Sequence, residues 1–276
     1  MKASNSESKH RVALAVEYFG ADYSGWQKQS SPVLETVQQQ LEKALSKIAD
    51  HEITVSCAGR TDSGVHATSQ VVHFDCGIDR GQKAWVIGTN SILPHSIRVL
   101  WAKNVSIDFH ARFSALYRRY HYLILEGEIE SAILNGRVTH QKPGLNVQAM
   151  HEAAQLLIGE QDFSSFRAAG CQSKTPNRNV QKVSVRRSGQ YLLMEIQANA
   201  FLQHMVRNIM GSLLMVGRGE REPGWIRELL LATDRTQAGV TAIPDGLYLT
   251  GVGYPDQFGL PCCEFLPVIT PAGAIG

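Results

Sequence analysis

Apolar residues recur along this chain at two different periods, and the two periods alternate. RVALAVEY alternates around Val12, Leu14 and Val16 and predicts a strand, whereas TVQQQLEKALSKIAD sets Val37, Leu41, Ala44, Leu45 and Ile48 on one helical stripe. Thr36 with Gln39 three residues later predicts a capping box at the start of that helix. ITVS and TSQVVHFD predict two more strands, followed by a helix near Gln82 to Leu93 and a strand at IRVLWA. The second half has the same make-up. LYRRYHYLIL predicts a strand with Arg118, Tyr120 and Tyr122 on one face and Arg119 and His121 on the other. NVQAMHEAAQLLIG predicts a helix capped by Asn146 with Gly159 beyond its end, and VQKVSVRRSGQYLLMEIQA a hairpin turning at Ser188-Gly189. FLQHMVRNIMGSLLMVG and GWIRELLLATD predict two helices, and GLYLTGVGY a last strand. Long parallel-type repeats are absent, so the fold class is α+β rather than doubly wound. Two similar halves are expected, 11–108 and 109–256, with the cleft between them as the natural site. A disordered lead over 1–10 and an irregular tail over 257–276 flank them.

CAGRTDSGVHA, residues 57–67, joins two of the predicted strands and sets an Arg-Thr-Asp tripeptide between two glycines. Gly59 and Gly64 match the glycine spacing of a phosphate-binding loop, but Val65 and His66 stand where that loop needs Lys and Ser or Thr. An aspartate inside such a nest would also repel a phosphate. The five cysteines (Cys57, Cys76, Cys171, Cys262 and Cys263) show no C-x-x-C spacing, so neither a zinc site nor a disulfide framework is expected. The zinc-deaminase signature is missing too. No cofactor and no metal are expected. No apolar run approaches the roughly 18 residues of a membrane span. The polar start MKASNSESKH lacks a signal-peptide core, which points to a cytoplasmic location.

The net charge is only +2, but its distribution is uneven. From Phe163 to Met194 the chain carries six basic residues (Arg167, Lys174, Arg178, Lys182, Arg186, Arg187) and no acid. FHARFSALYRRYHY, Phe109 to Tyr122, mixes three arginines and two histidines with five aromatic rings, again without an acid. Cations beside π faces suit single-stranded or flipped-out bases. A solvated basic face on an ordinary enzyme fits the composition equally well.

GRTDSGVHA, FHARFSALYRRYHY, CQSKTPNRNV, FLQHMVRNIMGSLL and DGLYL, in that order, resemble the tRNA pseudouridine synthase I family, TruA. The resemblance runs from about Val12 to Tyr254. Ser63 stands where the family usually has Ala, and Val240 in AGVTA where Pro is common. The resemblance implies two similar halves joined through a largely antiparallel sheet, and a homodimer. It implies an isomerase that converts uridine to pseudouridine at positions 38, 39 and 40 of the tRNA anticodon arm, without a cofactor.

By that resemblance Asp62 is the catalytic aspartate. Pseudouridine formation breaks the bond from ribose C1′ to uracil N1, turns the base and rejoins it through C5. A carboxylate can stabilise or trap the developing oxocarbenium, add to the uracil ring, or take a ribose proton. Read locally, Asp-Ser-Gly is also an ordinary turn tripeptide. Arg60 is the expected ionic partner of Asp62 and could fill the stack vacated by a flipped uridine. Tyr120 matches the family's active-site tyrosine, stacked on the target base; its bland reading is a cross-strand aromatic. Arg207, on an apolar helix face, needs an anion: Asp62 or a substrate phosphate in preference to a purely structural carboxylate. Phe109, His110, Ala111, Arg112 and Phe113 are expected RNA contacts, as are Cys171, Gln172, Ser173, Lys174 and Arg178. His66 and His73 are taken as core or loop histidines. Two other classes remain: an RNA-binding module without catalysis, and an aspartate-dependent hydrolase. The hydrolase would ordinarily need a second carboxylate, and none lies within the motif.

Overall fold

The computed structural model describes residues 10–29, 34–261 and 264–267. Ten strands share one sheet: β1 (His10–Tyr18), β2 (Ser56–Cys57), β3 (His66–Cys76), β4 (Ile97–Val105), β5 (Tyr117–Glu126), β6 (Thr139–Gln141), β7 (Gly159–Asp162), β8 (Asn177–Ser188), β9 (Tyr191–Ala198) and β10 (Leu247–Gly253). Their order is β4-β1-β3-β10-β5-β9-β8-β7, with β2 on β3 and β6 on β5. Neighbours are antiparallel except at β3–β10 and β5–β6. The sheet is thus largely antiparallel, as expected of an α+β chain. The expected lead lies outside the described residues except for His10, which begins β1.

Five helices accompany the sheet: α1 (Val37–Ala49), α2 (residues 81–92), α3 (Val147–Gln155), α4 (Met205–Gly217) and α5 (Trp225–Ala232). The Thr36 hydroxyl caps α1 by accepting the Gln39 N–H, and Asn146 caps α3 by accepting the Ala149 N–H. Val37, Leu41, Ala44 and Leu45 of α1 are buried together with Val206, Ile209, Leu213 and Val216 of α4 in one large core. Each such side chain contributes about 1.5–3 kcal/mol when taken from water.

β5 shows how the sheet sorts its faces. Tyr120, Tyr122 and Ile124 enter the large core, while Leu123 joins Val138, Leu193 and Tyr248 in a smaller cluster.

Two local expectations differ from the fold, and two short strands had none. ITVS is not a strand beyond Ser56, although Ile53 and Val55 are buried. Their backbone N–H groups donate to Ser46 Oγ at 2.9 Å and Glu42 Oε1 at 3.0 Å, so the alternation packs beside α1 instead of pairing. The β8–β9 turn falls one residue later than expected: Ser188 pairs with Tyr191, leaving Gly189-Gln190 as the turn with Gly189 at φ +59°. The short strands β6 and β7 were not legible, having three and four residues without alternation.

The seam at β10 positions the site. This late strand lies between β3 and β5, with Leu249 opposite both Ala67 and Tyr120. The glycine-framed loop that runs into β3 therefore meets the beginning of β5 across one intervening strand.

Candidate active site

The loop at 58–65 is held at both ends and in the middle. Ala58 N–H donates to Val71 O at 2.8 Å, and the Gln70 amide donates to Gly59 O at 2.6 Å. Trp26 N–H donates to Thr61 O at 3.0 Å, and Thr61 Oγ1 shares a 2.7 Å hydrogen bond with Tyr18 Oη. Gly64 has φ +79°, and a Cβ there would lie 2.5 Å from Pro244 Cγ. A Cβ on Gly20 would lie 2.0 Å from Val65 O, so the segment FGADYSGW approaches the loop backbone as only glycine permits.

His66 completes the clamp. Its Nδ1 accepts the Gly20 N–H at 2.9 Å, so its Nε2–H donates to Asp245 O at 2.9 Å. His73 is buried likewise and accepts the Ala111 N–H at 3.1 Å through Nδ1. Burial pushes both imidazoles down to about 4. Both histidines are structural, as read from the sequence.

Asp62 stands at the top of this loop with its side chain 23% exposed. Arg207 Nη1 lies 3.3 Å from Asp62 Oδ2, and His204 Nε2 lies 3.7 Å from the same oxygen. Arg207 is oriented by a second bond, from Nε–H to Ala242 O at 2.8 Å. Of the two anions expected for Arg207, the structure therefore supplies Asp62.

The expected partner Arg60 is corrected. Its side chain is exposed and makes no ion pair or hydrogen bond among the described residues. Two residues along a loop need not face each other, and here the cation comes from α4.

His204 was missed in the sequence. It precedes α4 with φ +61°, left-handed for a non-glycine residue, and its side chain does not cap the helix. That backbone turns the imidazole toward Asp62.

Tyr120 lies in the floor beneath the loop. Its ring meets Phe201 edge-on at 5.2 Å between centroids, and a Cβ on Gly59 would sit 3.9 Å from its hydroxyl. Burial, and then the negative charge of Asp62, push its hydroxyl pKa up.

A family model described as tRNA pseudouridine synthase matches residues 14–114 and 153–255, most of the chain. The chain belongs to that family. A tRNA pseudouridine synthase A of Vibrio parahaemolyticus is 53% identical over 261 residues, covering 95% of this chain and 98% of the relative. That of Tolumonas auensis is 55% identical, covering 91% and 95%, and that of Shewanella amazonensis 54% identical, covering 95% and 99%. Among solved structures, a chain of a Cbf5–Nop10–Gar1 complex aligns at 14% identity and TM-score 0.34, over 87% of this chain and 49% of that one. As a tRNA pseudouridine synthase the chain is an isomerase.

The basic stretches look different in space. Of the expected RNA contacts at 109–113, Phe109 and Ala111 are fully buried and anchor the loop. Arg112 and Phe113 are exposed, with the guanidinium 5.5 Å from the ring centroid. His110 Nδ1 accepts the backbone N–H groups of both at 3.1 and 3.3 Å, which fixes this turn.

Arg118 is a brace, not a surface cation. It is buried and donates to Ala58 O and Asn199 O at 2.8 Å and to Arg112 O at 2.5 Å. One guanidinium thus ties the start of the Asp62 loop to the Arg112 turn and to the segment leading into α4. Burial lowers its pKa.

The acid-free segment 163–194 is not acid-free once folded. Lys182 and Arg186 pair with Glu195 at 3.1 and 3.6 Å, and Arg187 pairs with Glu126. Arg119 also reaches Glu195, at 3.4 Å, and Glu264, at 2.7 Å.

Arg178, expected to touch RNA, is buried and donates to Thr175 O at 3.0 Å and Ser173 Oγ at 2.6 Å. Arg167 donates to Cys171 O and Ser173 O, both at 2.8 Å. These two arginines shape the 171–178 loop from inside. Burial alone would raise the Cys171 thiol pKa, but hydrogen bonds at the sulfur, the Arg167 bond and the Arg167 charge bring it down. Gln172 and Lys174 are exposed on the loop's outer side, and Lys174 has no ion pair among the described residues.

Among the described residues no three His, Cys, Asp or Glu side chains gather as a metal site. No helix there is long and apolar enough to cross a membrane.

Proposed function

We propose that this chain converts uridine to pseudouridine at positions 38, 39 and 40 of the tRNA anticodon stem-loop, with Asp62 as the catalytic nucleophile on a flipped-out uridine. One observation carries the assignment of the site. A partly exposed carboxylate stands on a clamped loop above Tyr120, against a guanidinium from a distant helix and an imidazole from the turn before that helix. The reaction breaks C1′–N1 and makes C1′–C5. C5 gives up its proton and N1 ends with one, so the product has the atoms of the substrate.

Asp62 bears on C1′ while the base is free to turn, and Arg207 holds the carboxylate in place. Tyr120 supports the base by stacking. Arg60, exposed on the same loop and without an ion pair among the described residues, reaches outward to fill the gap left by the flipped nucleotide. Two units, 11–108 and 109–256, form the cleft.

RNA is gripped by exposed side chains of the two loops, Arg112 and Phe113 on one and Gln172 and Lys174 on the other, in a cytoplasmic homodimer. His110, Cys171, Ser173 and Arg178 shape those loops. Incubation with unmodified tRNA, followed by detection of pseudouridine in the digest, tests the reading. Asp62→Asn keeps the side-chain shape and should lower turnover at least ~1000-fold, on the order of 4 kcal/mol of barrier. Release of free uracil would make the chain a hydrolase instead.

A further inference from the structure

A pocket of about 690 Å³ opens beside the Asp62 site. His204 is common to both, since its ring lines the pocket while its Nε2 lies 3.7 Å from Asp62 Oδ2. It is lined by the small-residue run Ala168, Ala169 and Gly170 and by residues 238–241. These mostly small side chains leave an open depression against which a flat ring can lie. No acidic residue lines the pocket.

The pocket holds a cation without a counter-ion. Arg235 Nη2 donates to Asn208 Oδ1 and Thr241 Oγ1, both at 3.0 Å, and Nη1 makes a long bond to Ala238 O. All three acceptors are neutral, and no carboxylate pairs with Arg235 among the described residues. Its sequence neighbour Asp234 is engaged elsewhere, accepting from the Thr236 N–H and hydroxyl and the Gln237 amide. A guanidinium has five N–H donors, so some remain for a ligand. Burial lowers the Arg235 pKa, and nothing offsets this. An incoming anion would supply the missing charge.

We propose that this pocket takes the nucleotide adjacent to the target uridine, with its phosphodiester paired to Arg235 and its base lying against the small residues beside it. The assignment rests on the uridine-isomerase reading above. It gives Arg235 a substrate-positioning role, with His204 as the wall between neighbouring and reacting nucleotides. The left-handed backbone of His204 then serves both sites at once. Positioning through a neighbouring phosphate also suits an enzyme that works at successive uridines, because every nucleotide offers the same phosphate.

The test uses anticodon-arm RNA carrying a single neutral methylphosphonate at each linkage flanking the target uridine in turn. With wild-type protein, one linkage should raise KM roughly tenfold and leave kcat within a few-fold, the usual worth of a charge-assisted hydrogen bond. Arg235→Gln should raise KM on unmodified RNA by a similar factor, and the two losses should not multiply. Because Arg235 also braces Asn208 and Thr241, the rim offers an independent check at exposed Ala169. Ala169→Glu should raise KM several-fold more than Ala169→Gln, with the gap closing at high salt. Losses that multiply at every linkage, or equal KM for the two Ala169 variants, would overturn the inference. Normal turnover of unmodified RNA with no linkage effect overturns it alone. Absence of pseudouridine from wild type would remove the functional reading with it.

Discussion

Acidification from pH 7 to pH 5 is expected to destabilise the fold through three buried histidines, two of which brace the Asp62 loop and the 109–113 turn. Burial pushes His66, His73 and His121 down to about 4. His66 and His73 each accept a backbone N–H through Nδ1, so a proton there would set a donor against a donor. In the unfolded chain a histidine titrates near ~6.5. Between that value and about 4 the unfolded state binds more protons than the folded one, so stability falls as pH falls. The stability each histidine contributes is complete above the unfolded value and is lost as pH drops toward the folded value.

Integrated from pH 7 to pH 5, this amounts to about 2 kcal/mol for each well-enclosed histidine. With the less enclosed His73 counted at half weight for screening, the three together give about 5 kcal/mol. That is a large share of the stability of an ordinary domain, about 5–15 kcal/mol. Glu126 titrates below this window: burial raises its pKa, but its hydrogen bonds with Arg187 and backbone N–H groups and the Arg187 charge outweigh that. Urea unfolding followed by tryptophan fluorescence at the two pH values measures the drop. His66→Gln should start less stable at pH 7 yet lose about 2 kcal/mol less on acidification. A wild-type free energy unchanged between pH 7 and pH 5, or an equal loss in His66→Gln, would refute the reasoning.

Tyr120→Ala should weaken tRNA binding by roughly 1–3 kcal/mol, the worth of one base–aromatic stack, while Tyr120→Phe should bind within a few-fold of wild type; filter binding distinguishes them, and full activity in the alanine variant would place the ring outside the site. Lys174→Ala should lower the log–log salt slope of tRNA binding by about 0.7–0.9, whereas Lys182→Ala, removing a cation already paired with Glu195, should leave it nearly unchanged. Equal slopes for wild type and Lys174→Ala would show that this loop does not grip the backbone. Gly64→Ala should cost on the order of 1–3 kcal/mol, because a side chain there is strained at φ +79° and meets Pro244. Its kcat should fall more than its tRNA affinity, and a variant as stable and active as wild type would mean that the loop is not clamped there.

Local rules carried the elements far. The period of apolar residues predicted both long helices, and Thr36 and Asn146 cap α1 and α3 through their side chains as their positions imply. The failures came where local pattern and global pairing part. Ile53 and Val55 alternate like a strand, but Ser46 and Glu42 take their backbone bonds because α1 lies alongside. Alternation reports which side of a segment is buried, not what its backbone bonds to.

Charge was the least legible property, and the topology explains why. Glu195 sits on β9, opposite Ser184 on one side and His121 on the other. From that central register one carboxylate reaches Lys182, Arg186 and Arg119, three cations that a linear count scores as unpaired. The same logic governs Asp62. Its motif could be read within eleven residues, but its ionic partner is Arg207, brought to it by the helix whose neighbouring loop contributes Ala242 and Pro244. Arg60, nearest in sequence, is left exposed. Because β10 lies between β3 and β5, the carboxylate, the tyrosine floor and the arginine converge only when the late strand closes the seam. Reactive side chain and electrostatic setting therefore come from distant parts of the chain: Arg207 could be named as a candidate partner because a cation on an apolar helix needs an anion, whereas His204, placed by a left-handed backbone, left no sequence signal.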